Sequence, residues 1–146
     1  MKHVISCSQY TRETLEELYE LTDKIDKNPM NYSKKLNGKI VAVMFYEPST
    51  RTRLSFESAV QRLGGNVIST ENAKTYSSAA KGETLEDTIR VISGYCDAIV
   101  MRHYEDDSSE KAVKVTSVPI INAGARKGRT SNTIFAGLIY YQTEKR

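Results

Sequence analysis

The chain has 146 residues, and 21 Lys and Arg against 18 Asp and Glu leave a formal net charge of +3. With 39% hydrophobic and 27% charged residues it has the balance of a folded globular domain, which excludes a disordered tail or a fibrous repeat. The length suits one domain with a real core and leaves little room for a second. Two cysteines, Cys7 and Cys96, cannot build a disulfide scaffold and suit a reducing compartment. The longest apolar run, Ile40–Tyr46, falls far short of the roughly 20 residues that span a bilayer. The first residues lack the apolar middle of a secretory signal, so the expectation is a cytoplasmic protein without a membrane partner. The small positive charge does not by itself imply nucleic acid; it suits a small anionic ligand equally well.

A helical pattern begins after Ser8 or Thr11, both plausible caps, with Leu15, Leu18, Leu21 and Ile25 recurring near one turn. Asn28-Pro29 ends it, and Leu36-Asn37-Gly38-Lys39 reads as a turn. Ile40–Tyr46 is short, unbroken and rich in β-branched residues, the mark of a strand buried on both faces. A helix over about Thr50–Leu63 follows and is stopped by Gly64-Gly65. Next come a strand at Asn66–Ser69, a polar loop at Thr70–Gly82 and a helix over about Thr84–Gly94. Ala98–Met101 is a further buried strand, Asp106–Ser108 caps a helix through about Val115, and Val118–Ile121 is a fourth strand. This alternation predicts an α/β fold, a three-layer sandwich with a central parallel sheet of about four strands and helices on both faces. Ligands in such sheets bind beyond the carboxyl ends of the strands, so the loops after Tyr46, Met101 and Ile121 matter most.

The first of these loops reads Glu47-Pro48-Ser49-Thr50-Arg51-Thr52-Arg53. Pro48 fixes the backbone before a helix whose first amides lack internal partners and lie at the positive end of its dipole. Hydroxyls and guanidiniums added there make a phosphate site without a glycine loop. Arginine in a first turn opposes the dipole, so Arg51 and Arg53 together suggest that an anion is expected. The bland alternative has Ser49 and Thr50 capping the helix with the arginines in water. Position at the sheet's carboxyl edge, together with Met101-Arg102-His103 closing the next buried strand, favours the anion.

Pro48–Arg53 followed by Ser55-Phe56-Glu57 resembles the carbamoyl-phosphate signature of the aspartate and ornithine carbamoyltransferases. Lys81–Thr88 and Met101-Arg102-His103 resemble the aspartate branch, in register and without a gap from Glu47 to Arg102. The resemblance implies a chain whose residues 1–128 form the carbamoyl-phosphate-binding domain of an aspartate carbamoyltransferase, a transferase of pyrimidine biosynthesis. Ser49, Thr50, Arg51 and Thr52 would hold the phosphate; Arg102 would reach phosphate and carbamoyl oxygen, stabilising the oxyanion together with Thr52. Ser77 and Lys81 would reach into the neighbouring subunit's site, which implies a homotrimer; without the motif, Lys81 reads as a solvated loop cation. Glu47 matches a position linked to domain closure, and Glu83 is a candidate interfacial partner for Arg51. His103 would support Arg102 rather than act as a base, and Cys96 is most simply a small core residue. The substrates implied are carbamoyl phosphate and L-aspartate. No metal or organic cofactor is needed, and a regulatory chain is a further partner that the resemblance allows.

After Gly124 the pattern breaks. The family continues to His-Pro-Thr-Gln and an apolar helix, whereas this chain reads Arg129-Thr130-Ser131-Asn132-Thr133, with Thr130 and Thr133 at the histidine and glutamine positions. Those five residues can be encoded so that a one-base shift reads Glu-His-Pro-Thr-Gln. The expectation is therefore a frameshift near residue 129, with 129–146 an aberrant tail replacing that segment and the aspartate-binding domain. Weak carbamoyl-phosphate binding and no useful turnover would follow. The alternatives are a non-catalytic binding or oligomer-modulating module, or an unrelated phosphate-binding α/β domain. A nucleic-acid role fits poorly, because the basic residues are not gathered on one helix.

Overall fold

The computed structural model describes residues 3–71 and 82–125. Four helices, α1 (Arg12–Lys27), α2 (Thr50–Arg62), α3 (Leu85–Ser93) and α4 (Ser108–Val115), alternate with four strands. The strands are β1 (Ile40–Phe45), β2 (Asn66–Glu71), β3 (Ala98–His103) and β4 (Ile120–Ala125). All strand pairs are parallel, in the order β2-β1-β3-β4. The expected architecture is therefore the one observed.

Strand alternation divides the core. On one face Ala42, Met44, Tyr46, Ile99, Met101 and Ile120 pack against Ile89 of α3 and Ala112 of α4. On the other, Val41, Val43, Phe45 and Val100 pack against Phe56 and Val60 of α2. The chain runs from β1 outward to β2, then crosses back over β1 to β3. Helices on opposite faces are what right-handed crossovers in opposite directions require. The reversal of direction lies between β1 and β3, the place where sheets of this kind bind ligands at their carboxyl end. The Tyr46 amide donates to the Arg102 carbonyl at 2.9 Å, extending the β1–β3 pairing to the last residue before the loop.

Local differences from the sequence reading have local causes. Thr11, not Ser8, caps α1, its hydroxyl accepting from the Thr14 amide at 3.3 Å. Ser8 sits in a short 3-10 turn, Cys7–Gln9, where its amide donates to the Ser6 hydroxyl. Strand β4 begins two residues later than expected, because the Thr116 hydroxyl accepts from the Val118 amide and donates to its carbonyl, closing a turn before Pro119. Asp107 occupies the cap position of α4 without a capping bond; its carboxylate instead pairs with Lys111 at 3.1 Å. The chain's start was not expected to join the sheet. Val4 bridges Ile121 in parallel, donating to the Ile120 carbonyl and accepting from the Asn122 amide, both at 2.8 Å.

Candidate functional site: an anion cradle at the strand switch

Ser49 occupies the cap position of α2, yet its side chain makes no capping bond, and the first turn holds no acidic residue. The first intrahelical bond runs from the Arg53 amide to the Ser49 carbonyl at 2.9 Å. The amides of Thr50, Arg51 and Thr52 therefore remain donors at the positive helix end. The expected cap by Ser49 or Thr50 does not form. Instead the Arg102 guanidinium turns toward this turn, its Nη1 donating to the Ser49 hydroxyl at 3.5 Å. Glu47, which is half-buried, stands 3.7 Å from Arg102 Nε. That nitrogen is itself buried without a hydrogen-bond partner, so the carboxylate touches the guanidinium loosely.

Gly124 completes the wall and was not singled out from the sequence. Its φ is +108°, and an added Cβ would lie 3.8 Å from Arg102 Nη1. The β3–β4 register shifts between Met101 and His103, so a bulge in β4 falls beside Arg102. Glycine interrupting a strand pattern signals a bulge or a close approach, and that signal was available.

The structure thus brings Glu47, Ser49, Arg102 and Gly124 together. Thr50 and Arg51 are exposed on the same first turn, and Thr52 is half-buried with its carbonyl accepting from the Ser55 hydroxyl at 2.7 Å. These three share the helix end with Ser49, without a side-chain bond to Arg102 among the described residues. Arg53 departs from its expected use, because its guanidinium is paired with Glu57 at 2.8 Å and Glu71 at 3.1 Å. Ser77 and Lys81 lie outside the described residues, as do Thr130 and Thr133. Glu83 is half-buried and, like Arg51, makes no ion pair among the described residues.

His103 does not support Arg102. Successive strand residues face opposite ways, so its ring lies on the α3–α4 face, stacked on Tyr104 at 4.1 Å and tilted against Tyr46 at 4.5 Å. Its Nδ1 accepts from the Glu105 amide at 3.1 Å, which leaves the proton on Nε2. Burial first, and Lys111 second, push its pKa below the ordinary histidine value, against the opposing pull of Glu105 and Glu47. Tyr46 is pushed up to about 12, chiefly by burial, with Glu83 and Tyr104 adding to the effect and Thr88 opposing it. Both groups are neutral at physiological pH. They line a cavity of about 280 Å³ with Glu83, Thr88 and Lys111, back to back with the Arg102 side. Cys96 behaves as the small core residue expected. It is packed on the α3 side with its thiol donating to the Ile92 carbonyl at 3.3 Å, and burial raises its pKa. Among the described residues no cluster of three or more His, Cys, Asp or Glu could hold a metal, and no helix is long and apolar enough to cross a membrane.

A parallel sheet with an uncapped, acid-free helix start facing an arginine at the strand switch defines an α/β domain with a candidate anion site at its carboxyl edge. The chain belongs to the aspartate/ornithine carbamoyltransferase, carbamoyl-P binding domain family, whose model matches residues 2–132. It is 48% identical over 147 residues to the chloroplastic aspartate carbamoyltransferase of Arabidopsis thaliana, covering 99% of this chain and 37% of that one. With the aspartate carbamoyltransferase catalytic subunit of Clostridium novyi it shares 52% identity over 123 residues, covering 84% of this chain and 40% of that one. Among solved structures, the catalytic subunit of M. jannaschii aspartate transcarbamoylase superposes with a TM-score of 0.84 at 45% identity, over 99% of this chain and 48% of that one. The chain therefore spans well under half the length of these curated relatives.

Proposed function

We propose that this chain is the carbamoyl-phosphate-binding half of an aspartate carbamoyltransferase. The reaction would join carbamoyl phosphate and L-aspartate into N-carbamoyl-L-aspartate and phosphate, in pyrimidine biosynthesis. The observation that carries the reading is Arg102, directed at the uncapped start of α2 beside Ser49. Amides and hydroxyls of Ser49–Thr52 with Arg51 bind the phosphate, while Arg102 bridges phosphate and carbamoyl oxygen. As the aspartate amine attacks the carbonyl carbon, charge grows on that oxygen. Arg102 and the Thr52 hydroxyl stabilise it, and the C–O bond to phosphate breaks. Ser77 and Lys81 complete the site from a neighbouring subunit, so the working form is a homotrimer in which Glu83 meets the neighbour's Arg51. Glu47 then serves domain closure.

Expressed by themselves, these residues are expected to bind carbamoyl phosphate without useful turnover, since what they match is the carbamoyl-phosphate-binding domain. Isothermal titration with carbamoyl phosphate tests the binding; absence of heat at millimolar ligand defeats it. Carbamoyl-aspartate production by the purified chain defeats the claim of inactivity. A second reading is a module that modulates an intact catalytic chain, and a turnover assay on mixtures of the two separates it from the first. For residues 129–146 we hold to a one-base frameshift, tested by sequencing the DNA across codons 122–146. If no one-base shift restores His-Pro-Thr-Gln, that idea fails. A cytoplasmic place of work belongs to this reading, supported by the free thiol of Cys96. The chloroplastic names of some relatives mark the alternative, which fractionation of the host cell resolves.

A further inference from the structure

We infer that Arg53 is a positioning residue, a cationic strut that ties the first turn of α2 to the carboxyl end of β2 and so sets the anion cradle, rather than a ligand for the anion. The inference deepens the proposed reading of the site and rests on it. Arg53 Nη1 meets Glu57 Oε1 at 2.8 Å, and Nη2 meets Glu71 Oε2 at 3.1 Å. The arginine and Glu57 side chains are only 19% and 17% exposed, and Arg53 Nε is wholly buried. The pair with Glu57, so shielded, is screened far less than a surface one, while Glu71, 38% exposed, meets the same guanidinium from the sheet edge.

Helix stability alone does not account for the arrangement. An arginine in the first turn opposes the helix dipole, and an i,i+4 pair with the cation on the N-terminal side is the weaker order. What the arrangement supplies is a link between elements. Glu71 is the last residue of β2 and pairs in register with Phe45, two residues before Glu47. One flank of the cradle, Arg102, is fixed through β3 by the backbone bond to Tyr46. The other flank, the amides of Thr50–Thr52, is fixed through Arg53 to β2. A planar fork reaches two carboxylates at once, which a lysine cannot do with the same geometry.

The sign of one substitution separates this role from the others. Inorganic phosphate is titrated calorimetrically at 15 °C into the unaltered chain and the Arg53→Gln, Glu71→Gln and doubly substituted chains. A strut predicts that each single change weakens phosphate binding about tenfold, and that the double change is no worse than Arg53→Gln alone, because the tie to Glu71 is already gone there. A direct phosphate ligand predicts the opposite for Glu71→Gln. Removing that carboxylate would release Arg53 and tighten binding, and this result overturns the inference. A lowered melting temperature with unchanged affinity in every variant overturns it as well, leaving a merely structural ion pair. Amide NMR shifts of Thr50–Arg53 provide a readout independent of binding. If the unaltered chain binds no phosphate while Glu71→Gln still moves those amides, the functional reading falls and the strut stands. If those amides do not move, the strut falls.

Discussion

Replacing Arg102 with methionine keeps the apolar stem and removes the guanidinium. Two effects follow, and the structure separates them. The first is lost anion binding. A hydrogen bond to a charged group contributes about 1.5–3 kcal/mol, so affinity for carbamoyl phosphate should fall about 10- to 150-fold. The second is the fate of Glu47, whose side chain is 13% exposed and loses the Arg102 cation at 3.7 Å. At an effective dielectric of about 20 the gross attraction at that distance is about 4–5 kcal/mol. Most of it is offset by desolvation, and no hydrogen bond seals the pair, so a net stability loss of about 1 kcal/mol is expected. Calorimetric titration reads the first effect and urea unfolding the second. Adding Glu47→Gln should recover part of the stability but not the affinity, since the carboxylate that faced Arg102 is neutralised while the anion's partner stays missing. Binding by Arg102→Met within threefold of the unaltered chain would refute the cradle.

Three further outcomes are expected. Thr84→Ala should cost about 1 kcal/mol, because the Thr84 hydroxyl accepts from the Asp87 amide at 3.2 Å and donates to its carboxylate at 2.7 Å; Ser49→Ala, at a cap position with no such bond, should leave stability within about 0.5 kcal/mol yet weaken phosphate binding, with denaturant melts and titration as the readouts. His103 has a depressed pKa in the fold, so the unfolded chain takes up its proton first. Stability is then fully present above the unfolded value near 6.5 and declines as pH falls through the folded one, and the pH slope of the urea midpoint should flatten in His103→Gln. Gly64→Ala should lower the melting temperature sharply, because φ is +82° and the new Cβ would lie 2.3 Å from the Ser33 carbonyl oxygen, a backbone atom that cannot swing aside.

Much of this was legible in the sequence wherever the signal is local. Ile40–Tyr46 showed its burial through an unbroken β-branched run, and Gly64-Gly65 showed where α2 stops. The pairing of Val4 with Ile121 was not legible, because a bridge between residues so distant in sequence leaves no periodic trace in either. Arg53 was half legible. Its i,i+4 relation to Glu57 stood in the sequence, but Glu71 becomes its neighbour only once β2 lies beside β1. Without that second carboxylate, the arginine looked available for an anion. His103 was misassigned because adjacency in sequence was taken for adjacency in space, when the pleat sends it to the opposite face from Arg102. Gly124 is the converse, a residue whose sequence signal was present and whose place, at φ +108° in the β4 bulge beside Arg102, appears only in the fold.

The bridge from Val4 to β4 also bears on how the chain matures during synthesis. Its partner, 117 residues downstream, emerges only after a further 6–23 s or so at ordinary ribosomal speeds. Throughout that interval the amide and carbonyl of Val4 must be hydrated or held by something else. The segment around Val4 therefore waits without its sheet partner, and the β4 border closes only after β1, β2 and β3 have been made.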